Sequence, residues 1–382
     1  MPMPEILIPF NKPYATGAEF AYMQQAVANS HLSGDGPFTK RCHTFLQESL
    51  GVPKALLTTS CTHALEMSAL LLDIQPGDEV ICPSFTFVTS IGAFVLRGAV
   101  PVFADIRPDT LNIDEATLEA HITPRTKAVV VVHYAGVACE MDAIMAIAGK
   151  HGVPVVEDNA HALFSRYKGR FTGTFGAMAT QSFHETKNFT CGEGGALLLN
   201  DARLFERAEI IREKGTNRSR FFRGQVDKYT WVDLGSSYLP SDLLAAYLSA
   251  QFEAADDIQH RRKTIWDRYD AHVPDWAAQH GVQLMTLPDD REQSYHMYWM
   301  LLPSLASRTA LIAYLRELGI YAPFHYLPLH LSDMGRKFGG VEGDCPVTED
   351  VSDRLIRLPL YNAMTEDEQM RVIAALFAFE GW

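Results

Sequence analysis

A single lysine lies in a polar, glycine-rich stretch between two apolar runs. Residues 181–195 contain Lys187, several hydroxyl side chains and a glycine cluster, with apolar runs at 177–179 and 196–199. Such runs are typical of short buried strands, and glycines allow tight turns and the close approach of another group. A lysine held there could form a Schiff base, because burial near other cations keeps part of the amine neutral. A solvated lysine on a hairpin is the simpler alternative, and the lysine alone favours it.

Two further stretches supply the groups that would accompany a Schiff-base lysine. A predicted strand ends in Asp158, and Ser60, Cys61 and Thr62 follow another strand and open a helix. A carboxylate keeps a pyridine nitrogen protonated, and a helix N-terminus binds phosphate through its backbone N–H groups. With Lys187, these groups are the parts that hold pyridoxal phosphate (PLP). The alternatives are an ordinary strand-end aspartate and plain N-capping by Ser60.

Strands and helices alternate through the first half of the chain. Apolar runs predict strands at residues 55–59, 79–83, 100–105, 128–133 and 153–157, with helices at 62–72, 90–97 and 141–150. Continuous apolar strands are typical of a sheet covered by helices on both faces. The pattern therefore predicts a three-layer α/β domain with a mostly parallel sheet. Ligands of such sheets bind beyond the carboxyl ends of the strands, and Asp158 and Lys187 follow strand ends.

The remaining pattern predicts a second, smaller α/β domain. Before the first predicted strand, we expect a helix at 18–29 and a turn at 32–37. After the last of these strands, Ser241 is a suitable N-cap for one long helix that ends at residue 269. Beyond it we expect a strand at 295–302 and helices at 308–318, 349–357 and 366–379. We therefore predict a large domain over 1–250, with segment 1–35 near the site, and a small C-terminal domain over 251–382.

Composition limits the classes of partner and compartment. Of the 382 residues, 47% are hydrophobic and 21% charged, as in ordinary globular proteins. The net charge of −13 argues against nucleic acid as the main partner. Six scattered cysteines give neither a disulfide framework nor metal spacing, so we expect the cytoplasm and no metal. Residues 1–6 lack a signal-peptide pattern, and we expect no membrane span.

The order of three motifs resembles the sugar aminotransferases of the DegT/DnrJ/EryC1/StrS family. The motifs are Ser-Cys-Thr at 60–62, Val-Glu-Asp at 156–158 and Ser-Phe-His-Glu-Thr-Lys-Asn at 182–188. The resemblance covers nearly the whole chain, and long runs at 132–142 and 213–231 are its most specific part. It implies fold type I of PLP-dependent aminotransferases, with Lys187 as the catalytic lysine and a homodimer with shared active sites.

The long runs also imply a substrate. They imply transfer of an amino group from L-glutamate to C4 of a nucleotide sugar, dTDP-4-keto-6-deoxy-D-glucose, with a galacto-configured product. By resemblance, the pathway would be lipopolysaccharide or enterobacterial common antigen biosynthesis. A 3-keto substrate and a gluco-configured product are the alternatives within the same chemistry.

The resemblance assigns further cofactor contacts residue by residue. Cys61, Thr62 and Ser182 are expected at the phosphate, and Phe87, rather than Phe85, is expected over the pyridine face. Two further positions depart from the family pattern. His161 stands where the family usually has a glutamine that reaches the ring hydroxyl, and Ser237 replaces an asparagine that reaches the phosphate of the partner subunit. The sequence does not decide whether either contact is kept. Histidine can still donate a hydrogen bond, whereas serine is shorter than asparagine and could make its contact through a bridging water.

An aromatic and histidine-rich loop near residues 324–330 completes the predicted site. The resemblance places His325, Tyr326 and His330 near the sugar nucleotide; an ordered structural loop is the alternative.

Three other functions share the fold. Related sugar dehydratases replace the lysine with histidine, a cysteine desulfurase needs a nucleophilic cysteine on a mobile loop, and a non-enzymatic sensor has little reason to keep Lys187 with Asp158.

Overall fold

Three β-sheets organise the computed structural model, which describes residues 5–381. The termini of the predicted domains, residues 1–4 and 382, lie outside this described part. The described strands are β1 (Lys54–Thr58), β2 (Glu79–Pro83), β3 (Val100–Ala104), β4 (Thr126–Val132), β5 (Val155–Asp158), β6 (Arg166–Tyr167), β7 (Arg170–Phe171), β8 (Met178–Ser182), β9 (Gly195–Leu199), β10 (Gln283–Leu284), β11 (Arg291–Glu292), β12 (Tyr298–Leu301) and β13 (Leu355–Leu358).

The α-helices of the described residues cover these sheets. They are α1 (Glu19–Ala28), α2 (Pro37–Leu50), α3 (Cys61–Leu71), α4 (Thr89–Val95), α5 (Glu115–Leu118), α6 (Met141–His151), α7 (Phe205–Arg212), α8 (Arg218–Phe222), α9 (Asp242–Glu253), α10 (Ala255–His272), α11 (Pro274–Gln279), α12 (Leu305–Glu317), α13 (Asp333–Lys337), α14 (Pro346–Arg354) and α15 (Glu366–Phe377). None of them is long and apolar enough to cross a bilayer.

The largest sheet has the order β1-β9-β8-β5-β4-β2-β3. Its neighbours from β8 to β3 pair in parallel, whereas β9 runs antiparallel to both β1 and β8. The sheet is therefore mostly parallel, as predicted. The parallel strands end at one edge, so the polar residues that follow them gather there.

Helices cover both faces of this sheet. Along β4, Val130 belongs to the apolar core shared with α3 and α4, whereas Val129 and Val131 belong to the core shared with α6. Alternate residues of a strand point to opposite faces. A strand buried on both faces must be apolar throughout, which explains the continuous runs in the sequence.

A second apolar core surrounds the small antiparallel sheet β10-β12-β13. The start of the described chain joins this core. Ile8 is fully buried and pairs with Ile320, and the amide of Leu360 donates to the carbonyl of Phe10 at 3.2 Å. The predicted domain boundary at residue 250 falls inside α9, which ends at Glu253.

Two predictions about elements were wrong, and one helix was missed. The long helix expected from Ser241 is two helices, because the backbone leaves the helical region at Ala254 (φ −96°, ψ 18°) between α9 and α10. The helix expected at 349–357 ends at Arg354, and the next residues form β13. Helix α2 was not predicted; its N-terminus is capped by the carboxylate of Asp242, which accepts from Thr39 N at 2.8 Å.

Candidate active site

A cavity of about 600 Å³ opens at the carboxyl edge of the seven-stranded sheet. Residues that follow β1, β2, β5 and β8 form its floor, and the loop after α12 (residues 321–326) forms part of its wall. The structure brings nine of the predicted site residues into this one cavity: Cys61, Thr62, Phe87, Asp158, His161, Ser182, Lys187, His325 and Tyr326. These residues come from distant parts of the sequence, so the fold assembles them.

Lys187 lies on the connection between β8 and β9. The connection is closed by backbone hydrogen bonds from Phe183 N to Gly194 O (2.8 Å) and from Cys191 N to Phe183 O (3.0 Å). Burial, with help from the guanidinium of Arg357, lowers the pKa of Lys187 to about 8, although Cys61 and Asp158 act in the opposite direction. Near neutral pH, part of the amine is therefore uncharged and can act as a nucleophile or a base.

Asp158 is buried at the end of β5 and is held on both carboxylate oxygens. Oδ2 accepts from Ser90 Oγ at 2.7 Å, and Oδ1 accepts from Ala160 N at 3.2 Å. The Ser90 hydroxyl also contacts Thr86 Oγ1 at 2.8 Å. A carboxylate fixed in this way can hold a positively charged ring nitrogen, because its position and orientation are set before a ligand binds.

The start of α3 presents backbone N–H groups to the same cavity. Ser60 is extended (φ −162°, ψ 164°), and its hydroxyl caps the helix by accepting from His63 N at 3.1 Å. The amides of Cys61 and Thr62 precede the first intrahelical donors, so they suit an anion. Gly195 of β9 lies against this turn, where an added Cβ would come within 2.4 Å of Cys61 N.

Three histidines lie together on the opposite side. The rings of His161 and His296 stack at 4.3 Å, and those of His161 and His325 lie 6.2 Å apart. Burial, followed by nearby positive groups, holds the pKa of each histidine well below its usual range. Nδ1 of His161 is buried and has no hydrogen-bond partner. A neutral imidazole has one nitrogen that can donate a hydrogen bond to a ligand and one that can accept a hydrogen bond from it.

The two neighbouring phenylalanines occupy different places. Phe87 is exposed on the cavity wall, with its ring centre 6.3 Å from that of Tyr326. Phe85 is buried in the core and packs edge-on against Tyr134 at 5.2 Å. Only Phe87 is therefore available to cover a bound aromatic ring.

These residues fit pyridoxal phosphate. Lys187 would attach the aldehyde, Asp158 would pair with the ring nitrogen, and His161, with its unpartnered buried Nδ1, leaves polar capacity for the ring hydroxyl. The amides of Cys61 and Thr62 suit the phosphate. Ser182 lines the same cavity.

Two of the predicted residues lie elsewhere. His330 was predicted to contact substrate, but it is fully buried outside the cavity; its Nδ1 lies 2.7 Å from Ser84 Oγ and its Nε2 lies 3.0 Å from Glu349 Oε1. Both ring nitrogens are thus engaged in packing the loop. Ser237 is exposed and lines a separate cavity of about 760 Å³, together with Asp35 and Arg212. Its predicted contact with a partner subunit stays a prediction.

Sequence reasoning missed several groups in the cavity. Phe10 and Asn11 enter it from the N-terminal segment, and Asn11 Nδ2 donates to the carbonyl of Glu185 at 3.0 Å. His296 and Arg357 enter from the second half of the chain. The available signal was a short apolar run, Leu355–Leu358, interrupted only by Arg357, because such a run is consistent with a buried strand.

Within residues 5–381, no group of three His, Cys, Asp or Glu side chains could hold a metal ion. The six cysteines are free thiols. Burial raises the pKa of Cys61, which is the cysteine that lines the cavity. A protonated thiol is a weak nucleophile, so the chemistry of this site centres on Lys187.

Comparisons with known proteins agree with this geometry. The spore coat polysaccharide biosynthesis protein SpsC of Bacillus subtilis (strain 168) is 34% identical over 380 residues, covering 97% of this chain and 96% of SpsC. Spr1654 of Streptococcus pneumoniae, assigned as a sugar aminotransferase and solved in its PMP form, superposes with a TM-score of 0.90 at 29% identity, covering 97% and 98% of the two chains.

A second solved structure, the aminotransferase TlmJ of Streptoalloteichus hindustanus, superposes with a TM-score of 0.88 at 33% identity and covers 98% of both chains. These similarities and the mostly parallel sheet confirm the predicted fold type I of PLP-dependent aminotransferases. The model of one family matches residues 13–377. The chain belongs to the DegT/DnrJ/EryC1/StrS aminotransferase family.

Proposed function

We propose that this chain transfers an amino group from L-glutamate to C4 of dTDP-4-keto-6-deoxy-D-glucose and forms dTDP-4-amino-4,6-dideoxy-D-galactose. The broader activity, that of a sugar aminotransferase with PLP as cofactor, follows from the family. The observation that carries the proposal is the placement of Lys187 and Asp158 in one cavity beside the start of α3. The choice of sugar is supported by the sequence runs at 132–142 and 213–231.

The residues of the chain have separate tasks in such a reaction. Bound PLP supplies an electron sink that weakens a C–H bond beside the nitrogen of the reacting amine. Asp158 keeps the ring nitrogen charged, and Ser90 keeps Asp158 in place. Lys187, once its amine is free, moves a proton between substrate and cofactor carbons, which a pKa of about 8 allows in both directions near neutral pH.

We further propose a cytoplasmic homodimer with shared active sites that acts in a surface-polysaccharide pathway. Six free thiols fit a reducing compartment. The relative SpsC is described as a spore coat polysaccharide biosynthesis protein, which supports this class of pathway. Phe222, which lines the same cavity as Ser237, and Trp231 are exposed aromatic side chains. They supply apolar surface of the kind that subunits bury.

Product analysis tests the substrate. Purified protein is incubated with L-glutamate and a panel of 3-keto and 4-keto sugar nucleotides, and products are identified by mass spectrometry. We expect the dTDP-4-keto-6-deoxy sugar to give the highest kcat/KM and NMR to show an axial C4 amine. An equatorial amine would mean the gluco epimer, and faster turnover of a 3-keto sugar would move the reaction to C3. Cofactor binding without turnover of any sugar would favour a sensor.

A further inference from the structure

Arg357 is a cation in the active-site cavity that faces no carboxylate. Its Nη2 donates to the carbonyl of Phe324 at 3.0 Å, and its Cζ lies 4.3 Å from the centre of the Phe10 ring. Its Nε is buried without a partner. Burial lowers the pKa of this guanidinium, and within residues 5–381 the charges that act in the opposite direction belong to tyrosines, not acids.

Two buried arginines, Arg262 and Arg291, have several protein partners each, and a third, Arg212, has an unpartnered Nη2 but forms an ion pair with Asp35 at 2.7 Å. Arg262 donates to the carbonyls of Tyr295 and His296 and to Asn362 Oδ1. Arg291 donates to the carbonyl of Ala138 and forms ion pairs with Glu140 and Asp290. A guanidinium has five N–H donors, and leaving them unsatisfied in a partly buried site is unfavourable. Arg357 therefore differs in combining free donor capacity, no carboxylate partner and a place in the cavity that contains Lys187.

The surroundings hold this guanidinium in one orientation. The carbonyl of Phe324 fixes one nitrogen, and the Phe10 ring covers one face of the guanidinium plane. The backbone is fixed as well, because Arg357 N donates to the carbonyl of Pro323 at 3.0 Å and Arg357 pairs with Trp299 of β12. A planar, oriented guanidinium favours a planar oxyanion that can accept two parallel hydrogen bonds.

We infer that Arg357 binds the carboxylate of the amino donor. This inference rests on the proposed function. An amino acid carries its carboxylate on the carbon that bears the reacting amine, so its anchor must share a cavity with Lys187, as Arg357 does. The diphosphate of a sugar nucleotide is attached at C1, across the ring from C4, so it lies farther from the reacting carbon. The carboxylate is thus the nearer of the two anions.

The two half-reactions can show which anion Arg357 binds, because the carboxylate donor takes part in one and the diphosphate-bearing sugar nucleotide in the other. The variants Arg357→Met and Arg357→Lys are compared with a control variant, Arg308→Met. In the wild type, Arg308 also stacks on a ring (Phe324) and donates to a carbonyl (Asp353), but it does not line the cavity. Stopped-flow absorbance measures the two half-reactions separately. In the first, PLP-loaded enzyme reacts with L-glutamate; in the second, enzyme loaded with pyridoxamine phosphate reacts with the keto-sugar nucleotide. Calorimetry with glutarate, an unreactive dicarboxylate, measures binding without turnover.

We expect Arg357→Met to lower kcat/KM for glutamate and the affinity for glutarate at least tenfold, as for the loss of charge-assisted hydrogen bonds. Arg357→Lys should fall between this variant and wild type, and Arg308→Met should match wild type. The sugar-nucleotide half-reaction should change less than threefold.

Other outcomes overturn the inference in distinguishable ways. A loss confined to the sugar-nucleotide half-reaction would make Arg357 a diphosphate anchor, and equal losses in both would indicate a packing role. Unchanged glutarate binding in a folded Arg357→Met variant would also refute it. If wild-type enzyme binds glutarate through Arg357 but aminates no sugar, the inference stands and the proposed function fails.

Discussion

The proposed chemistry depends on Lys187, and the environment of this residue predicts a pH dependence. Because its pKa is lowered to about 8, the amine of the cofactor-free protein is mostly protonated below pH 8 and cannot attack an aldehyde. We expect the rate of covalent attachment of pyridoxal phosphate to rise as pH increases through about 8 and then to level off. An ordinary lysine would still gain rate up to roughly pH 10.

The measurement is the appearance of visible absorbance after mixing cofactor-free protein with pyridoxal phosphate at a series of pH values. Borohydride reduction and peptide mapping then identify the labelled lysine, and Lys187→Ala is the control. A rate that still climbs at roughly pH 10, or a label on another lysine, would contradict the assignment.

Asp158 and Ser90 give a second prediction at the same scale. Asp158→Asn removes the charge that pairs with the ring nitrogen, so we expect kcat to fall roughly a hundredfold to a thousandfold. Ser90→Ala removes one hydrogen bond to that carboxylate and should lower kcat about tenfold. Ser68→Ala, which removes a buried hydroxyl bonded to the Ala64 carbonyl within α3, is the matched control. Equal kcat values for Ser90→Ala and Ser68→Ala would show that Ser90 does not act through Asp158.

Sequence patterns found the residues that stand at strand ends but missed those that act from a distance. Asp158 and Lys187 were recognised because each interrupts or follows an apolar run. Ser90 lies 68 positions before Asp158, and no local pattern marks that pair. Arg357 was missed for a different reason, since its segment was assigned to a helix and the side chain then had no place in the cavity.

At the level of elements, the close contact between β9 and the start of α3 lies at the proposed phosphate site. Gly195→Ala would place a Cβ within 2.4 Å of Cys61 N, and backbone atoms there have little room to move. We expect a loss of about 1–3 kcal/mol in the free energy of unfolding, as for other overpacked sites, together with weaker cofactor binding.

Gly149→Ala is the control, because a Cβ on that α6 residue meets open space. It should be neutral or stabilising by about 0.5–1 kcal/mol. Urea unfolding of the cofactor-free proteins measures both changes without a contribution from ligand. Equal stabilities of the two variants would show that the β9–α3 contact is not tight.

The elements that sequence predicted well are those with local signals. The predicted bounds of three elements, β2, β4 and α3, lie within two residues of the observed ones. Each of these elements is marked by an unbroken apolar run or by a capping residue directly beside it in the sequence. Helix α2 was missed, since its N-terminal amides are satisfied by Asp242, a residue 203 positions beyond Thr39. The break at Ala254 also has no glycine or proline to mark it.

At the scale of the whole molecule, the predicted homodimer has a direct test. Ser237 lies in a cavity separate from Lys187, so a role at the phosphate requires a second subunit. Ser237→Asp should inactivate the enzyme by placing a negative charge beside the phosphate of the partner subunit. Mixing it with Lys187→Ala should restore about a quarter of wild-type activity, because half of the dimers are mixed and each has one intact site.

Light scattering should give the mass of two chains, and isotope-labelled subunits should show exchange by mass spectrometry. A monomeric mass, or full exchange without recovered activity, would exclude shared sites.

The N-terminal segment has a consequence for how the enzyme is made. Ile8 and Phe10 precede the seven-stranded sheet in the sequence, yet their partners Ile320, Arg357 and Leu360 all follow it. Domains tend to fold in order during synthesis, so the seven-stranded sheet can form while the chain is still growing. The cavity wall cannot, because Phe10 has nothing to stack on until β13 emerges. Synthesis of β13 is therefore the event that allows this wall of the cavity to form.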